Sequence, residues 1–225
     1  MSRPKLLAGV QLLRLPNVFT AIADPLAGWM LTGRGGAILP RVSASACLYT
    51  AGIVLNDCLD YQLDCRERPE RPLPRGAITL RTAWILGLTC LLAGLLLGGI
   101  PAVPLAALII FYNTVAKHFA WLAALILGAC RAYNLGFGMG GFSAHWVGLP
   151  FWAPLGLGLY VAGLTLVARG EVVQPSLRRV VKQLLLGIIV LDAGFVVVSG
   201  DWVGALLVLS LLVPAAVLGR IIPMT

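Results

Sequence analysis

Apolar residues run along this chain in long blocks rather than in the short alternation of strands. Several blocks reach roughly 17–22 residues, the length a helix needs to cross a ~30 Å hydrocarbon core. By period and length they predict eight spanning helices, at roughly 16–31, 42–59, 82–98, 102–116, 119–140, 150–168, 183–199 and 202–219. The fourth is short enough to be tilted or re-entrant. Long helical runs argue against an outer-membrane barrel, whose strands alternate over ~10 residues. No soluble domain, low-complexity tract or clear internal repeat interrupts the pattern. Residues 1–225 therefore read as a single all-α transmembrane bundle.

Composition supports this reading. The chain is 59% hydrophobic and 12% charged, about half the charge of an ordinary soluble domain. The net charge of +8 would suggest nucleic acid in a soluble protein. Here the basic residues fall in short loops, so no nucleic-acid partner is expected. With the N-terminus placed inside, 14 of the 17 Lys and Arg fall in inside segments, and only Arg34 and Arg41 in outside loops. That split is a positive-inside signal. It predicts a bacterial inner membrane or its equivalent, multiple passes and a cytoplasmic N-terminus. Arg3, Lys5 and Arg14 before an apolar stretch resemble a signal peptide, but residues 21–31 hold no clear cleavage box. A retained first helix is expected. The five cysteines show neither metal spacing nor a secreted-scaffold pattern and read as free thiols.

The second span ends in Asn56-Asp57-Cys58-Leu59-Asp60-Tyr61-Gln62-Leu63-Asp64. At ~100° per residue, Asn56, Asp57, Asp60 and Asp64 fall within an arc of about 100°. Three carboxylates and an amide thus share one helix face at the cytoplasmic mouth. Clustered like charge there is costly and calls for a cation. Oxygen ligands suit a hard ion, Mg²⁺ more than zinc. The competing reading is a solvated acidic helix end that pairs with the next loop. That loop, Arg66-Glu67-Arg68-Pro69-Glu70-Arg71-Pro72-Leu73-Pro74-Arg75-Gly76, is stiffened by proline. It presents guanidinium groups, whose planar fork suits phosphate. Metal-binding carboxylates beside phosphate-binding arginines make a diphosphate site.

Asn56-Asp57-x-x-Asp60-x-x-x-Asp64 with Arg71-Pro72-Leu73-Pro74-x-Gly76 resembles the first Asp-rich motif and loop of the UbiA superfamily of intramembrane prenyltransferases, the 4-hydroxybenzoate polyprenyltransferase-like proteins. So do the opening Arg14-Leu15-Pro16-Asn17 and the Tyr112-Asn113…Lys117 region, although Tyr-x-x-x-x-Lys is one residue longer than the usual spacing. Cys130-Arg131-x-x-Asn134 is similar to the UbiA-like proteins of ebo-type gene clusters. The resemblance implies a helical bundle around a central cavity. It also implies a Mg²⁺-dependent transfer of an isoprenyl group from an isoprenyl diphosphate to an aromatic or other lipophilic acceptor. In that scheme Asp57, Asp60 and Asp64 hold the metal. Asn56, Arg71 and Lys117 meet the diphosphate.

Two departures weigh against a complete match. The family carries a second Asp-rich motif after its sixth helix, but the corresponding stretch 169–179 holds one acid, Glu171. Arg178 and Arg179, with Arg169 and Lys182, are candidates to neutralise diphosphate in place of a second metal; the other reading makes them topology anchors. The family also usually has nine helices against eight here, so a truncated or a naturally reduced chain is expected. The alternative function is a non-catalytic lipid-binding or lipid-transport component that has lost the second motif.

Asp24, Arg131, Asn134 and Asp192 fall near the middles of spans, where exposure to lipid is expensive. They read as a polar wall around the acceptor, with Asn17 and Tyr112, or as a salt bridge from Arg131 to Asp24 or Asp192. These readings are compatible. His118 and His145 are too far apart to make a metal case. The six tryptophans, Trp146 among them, fit an interfacial belt.

Overall fold

The computed structural model describes residues 3–141, 147–170 and 177–222, with side chains from residue 7 onward. Glu171, His145 and Trp146, and the side chains of Arg3 and Lys5, lie outside the described residues. The described residues form α1 (Arg3–Leu12), α2 (Leu15–Leu31), α3 (Ile38–Leu59), α4 (Tyr61–Glu67), α5 (Leu80–Gly98) and α6 (Val103–Thr114). They continue with α7 (Ala120–Gly138), α8 (Leu149–Gly170), α9 (Leu177–Val198), α10 (Trp202–Ser210) and α11 (Leu212–Leu218). Short 3₁₀ turns, Ile100–Ala102 and Ala116–His118, flank α6.

Among the described residues five helices, α3, α5, α7, α8 and α9, are long and apolar enough to cross a membrane. The protein is an all-α integral membrane bundle. The other predicted spans are shorter. α2 has 17 residues and α6 has 12. The last span is divided at Leu211 into α10 and α11. Pro214 has no N–H to give the Ser210 carbonyl, which explains a break at that point. The acidic stretch is also divided: α3 ends at Leu59 and α4 starts at Tyr61. Asp60 N still donates to Asn56 O and Asp64 N to Asp60 O, so the four-residue register survives the bend.

The short α2 is the hub. It packs against α3, α7, α9, α10 and α11, and eleven of its seventeen residues are buried. Small residues permit this close packing. A Cβ at Gly28 would overlap the Leu135 carbonyl, and one at Gly138 would overlap Pro25. α2 and α7 can meet at this distance only without those side chains. By contrast, α5 buries only Ala83, Gly87 and Gly94 and exposes Ile85, Leu88, Leu92 and Leu96, as a lipid-facing helix would. Thr79 caps its start, accepting from Thr82 N at 3.2 Å, and Gly99 at φ 62° ends it. All five cysteines are free thiols.

Candidate active site and cavity

The acidic end of the bundle is held together by ion pairs. Arg71 Nη1 lies 2.7 Å from Asp64 Oδ2 and 3.6 Å from Asp57 Oδ1. Arg14 Nη2 lies 3.3 Å from the same Asp57 oxygen. Lys117 Nζ meets Asp60 Oδ1 at 2.5 Å, and Arg169 Nη2 donates to the Lys117 carbonyl at 2.7 Å. Five separate parts of the chain converge here: the α1–α2 junction, the α3–α4 bend, the proline-rich loop, the turn before α7 and the end of α8. Local conformation makes the first possible. Arg14 takes the left-handed region (φ 42°, ψ 50°), costly for a non-glycine residue by roughly 1–2 kcal/mol. Its carbonyl accepts from Asn17 N at 2.8 Å, and the break turns its side chain onto Asp57.

A cavity of about 250 Å³ opens beside this cluster, walled by α2, α3, α6, α7, α8 and α9. Arg14 and Asn56 line it and connect it to the acidic end. Its wall carries Tyr112, Arg131 and Asn134 from the sequence reading. It also carries Ser45, Tyr49, Asn113 and Thr165, which that reading missed as site residues. Arg14 and Asn113 stood inside quoted motifs and were within reach of sequence reasoning; Tyr49 and Thr165 had no local signal. Asn17 and Asp24 are buried but stand outside the cavity lining.

Asp24 stands behind the wall. Arg131 Nη1 donates to its two oxygens at 3.1 and 3.0 Å, and Asn134 Nδ2 donates to Oδ2 at 2.8 Å. Arg131 also donates to the Thr20 carbonyl and hydroxyl. Its guanidinium lies 5.4 Å from the Tyr49 ring centroid, within cation–π range. Asp192 lies beside Asp24 and is fully buried; neither of its oxygens receives a hydrogen bond. Arg131 thus pairs with Asp24, and Arg131 and Asn134 line the cavity, whereas Asn17, Asp24 and Asp192, expected in the same wall, stand outside its lining.

Arg178 and Arg179 are exposed on the first turn of α9. Lys182 Nζ donates to the Gly219 carbonyl at 2.6 Å, so it fastens α9 to the end of α11. Among the described residues no group of three His, Cys, Asp or Glu side chains is placed to hold a metal ion. The donor chemistry still fits Mg²⁺, which takes one or two carboxylates and completes its shell with water and phosphate oxygens. Asp57, Asp60 and Asp64 each keep one oxygen outside the ion pairs above.

The profile described as the UbiA prenyltransferase family matches residues 22–223. A digeranylgeranylglyceryl phosphate synthase of Metallosphaera sedula is 27% identical over 171 residues, 70% of this chain and 58% of that protein. One of Ignicoccus hospitalis is 36% identical over 95 residues, 42% of this chain and 31% of that protein. The chain therefore spans less than two thirds of the length of these curated relatives. Among solved structures, one described as digeranylgeranylglyceryl phosphate synthase in membranes superposes with TM-score 0.62 at 20% identity, over 94% of each chain. A UbiA homologue of Archaeoglobus fulgidus, bound to DMAPP and Mg²⁺, gives 0.58 at 14% identity over 94% of this chain and 86% of that one. At such identities these likenesses show the fold.

Proposed function

The chain belongs to the UbiA prenyltransferase family, and we propose that it transfers an isoprenyl group from an isoprenyl diphosphate to a lipophilic acceptor within the membrane. The observation that carries this reading is the pairing of Asp57, Asp60 and Asp64 with Arg14, Arg71 and Lys117 beside a cavity. Both signs of charge are needed by a metal–diphosphate pair. Each ion pair can be exchanged for its matching half, carboxylate to metal and cation to phosphate.

In this scheme Arg71, Lys117 and Arg14 donate to diphosphate oxygens, with Asn56 beside them. Such charge-assisted bonds are about twice as strong as neutral ones. One or two of Asp57, Asp60 and Asp64 would hold Mg²⁺, which when bound stabilises the charge growing on the leaving diphosphate. The allylic C–O bond breaks and its electron pair leaves on the diphosphate. An atom of the acceptor bonds to the allylic carbon and releases its proton to water or to the departing diphosphate. Apolar wall residues such as Ile109, Leu164 and Ile188 keep water from the allylic cation. The site is read as facing the cytoplasm of a bacterial inner or equivalent membrane; labelling of engineered cysteines from each side reads this directly.

The test is incubation of purified protein with labelled isoprenyl diphosphates of several lengths, Mg²⁺ and a lipid extract, followed by mass spectrometry. A prenylated product that disappears without Mg²⁺ is expected. Diphosphate binding with no transfer to any acceptor would favour a lipid-binding component instead.

A further inference from the structure

The cavity has a measurable depth along α3. Ser45, Tyr49, Gly52, Ile53 and Asn56 line it from that helix, and their spacing of three and four puts them on one face. Asn56 stands at the mouth with Arg14. Tyr49 is seven residues deeper and Ser45 eleven, which at about 1.5 Å per residue places them roughly 10 and 16 Å below Asn56.

The wall changes character along that path. Between Asn56 and Tyr49 lie Gly52 and Ile53. Ile109 of α6 stands opposite, with its Cγ2 3.1 Å from where a Cβ on Gly52 would fall. Leu127, one turn nearer the mouth than Arg131 on α7, and Val161 and Leu164 of α8 extend the apolar wall. Asn113 and Thr165 share it, each donating to a helix carbonyl. At the deep end polar groups close the path. Ser45 Oγ and Asn134 Nδ2 both donate to the Ala21 carbonyl, at 2.9 and 2.8 Å, and so tie α2, α3 and α7 together. The Tyr49 ring lies against the Arg131 guanidinium, which Asp24 anchors. Beyond this tier α2 and α7 meet at Gly28 and Gly138, so the floor is a packed helix crossing.

An isoprenyl tail that enters with its diphosphate at the mouth therefore has a limited length of apolar wall. Each isoprene unit adds four carbon–carbon bonds, roughly 5 Å when extended, so two units reach Tyr49. A third would lie on Ser45, Tyr49, Arg131 and Asn134, covering polar groups to which it offers no hydrogen bond. Volume agrees. An apolar cavity of about 150 Å³ holds the six carbons of benzene, and the 250 Å³ here scales to roughly ten carbons.

We infer that this cavity selects an isoprenyl diphosphate of two isoprene units, with Tyr49 as the stop and Ile53 as the wall of the tail. The inference rests on the transferase reading, which puts the diphosphate at the mouth. The acceptor then meets the allylic carbon at the mouth, because the tail fills the space below.

The test is calorimetric titration of the purified protein, with Mg²⁺, using the unreactive dimethylallyl, geranyl, farnesyl and geranylgeranyl thiolodiphosphates; titrations into protein-free micelles are subtracted. Geranyl is expected to bind at least tenfold tighter than dimethylallyl, about 1.4 kcal/mol, and farnesyl and geranylgeranyl no tighter than geranyl. Tyr49→Ala should move the optimum to farnesyl. Ile53→Phe should cut the advantage of geranyl over dimethylallyl at least threefold. Affinity that climbs through geranylgeranyl, or a geranyl optimum that neither folded variant moves, would overturn the length rule and leave the diphosphate site standing. Binding of none of the four probes would sink the diphosphate site, and the length rule with it.

Discussion

Arg131 on α7 donates to both carboxylate oxygens of Asp24 on α2, at 3.1 and 3.0 Å, with both residues buried. The pair crosses the same helix contact where Gly28 and Gly138 let the backbones approach. It therefore serves the hub of the bundle as well as the cavity wall.

Removing one partner of a buried pair strands the other, which costs about 3–5 kcal/mol. Arg131→Met should leave Asp24 and Asp192 buried together without their cation and destabilise the fold by that order. Asp192→Asn should be tolerated. Thermal unfolding followed by size-exclusion in detergent measures both. A stable, monodisperse R131M protein would contradict the structural role given to the pair.

The acidic end predicts a binding phenotype. Asp57→Ala or Asp60→Ala should weaken Mg²⁺-dependent diphosphate binding at least tenfold, about 1.4 kcal/mol. Arg71→Gln should weaken it too, because Arg71 joins Asp57 and Asp64. Calorimetric titration with an isoprenyl diphosphate analogue reads the change. Unchanged affinity in both aspartate variants would make the cluster a structural helix end.

A diphosphate brings more negative charge than one Mg²⁺ offsets, and unpaired charge in a water-poor pocket is costly. On the proposed reading, Arg178 and Arg179, exposed on α9, would offset that remainder. Arg178→Gln with Arg179→Gln should lower diphosphate affinity severalfold without loss of insertion or folding. Wild-type affinity in the double variant would leave these arginines as topology anchors.

At the opposite end, Asp201 caps α10. Its Oδ1 accepts from Gly204 N at 2.8 Å and its Oδ2 from Arg34 at 2.6 Å. The backbone hydrogen bond first, and then the Arg34 contact, hold its carboxyl below the ordinary value. A depressed carboxylate stabilises the fold above its unfolded value, near ~3.9. That contribution is lost as pH falls through the folded value. Asp201→Ala should lower the Tm by about 2–4 °C at neutral pH, and the difference from wild type should vanish in strong acid. A difference that persists below pH 2 would argue against the linkage.

The membrane class, the acidic motif and its partner loop were legible in the chain because each is local. A 17–22-residue apolar block must span or be buried, and carboxylates at four-residue spacing must share a helix face. The pairing of Arg71 with Asp64 is only seven positions long and follows from the proline-stiffened loop. Other features were decided by contacts between distant segments. Lys117 finds Asp60 across 57 positions and Arg131 finds Asp24 across 107. No spacing rule could have chosen Asp24 over Asp192 as the closer partner of Arg131. Nor could it show that Asn113 donates to the Gly52 carbonyl, or Asn134 to the Ala21 carbonyl and to Asp24. Which partner each buried polar side chain finds depends on which groups the packed helices bring within hydrogen-bond reach, and that is settled only when α2, α3, α6 and α7 come together.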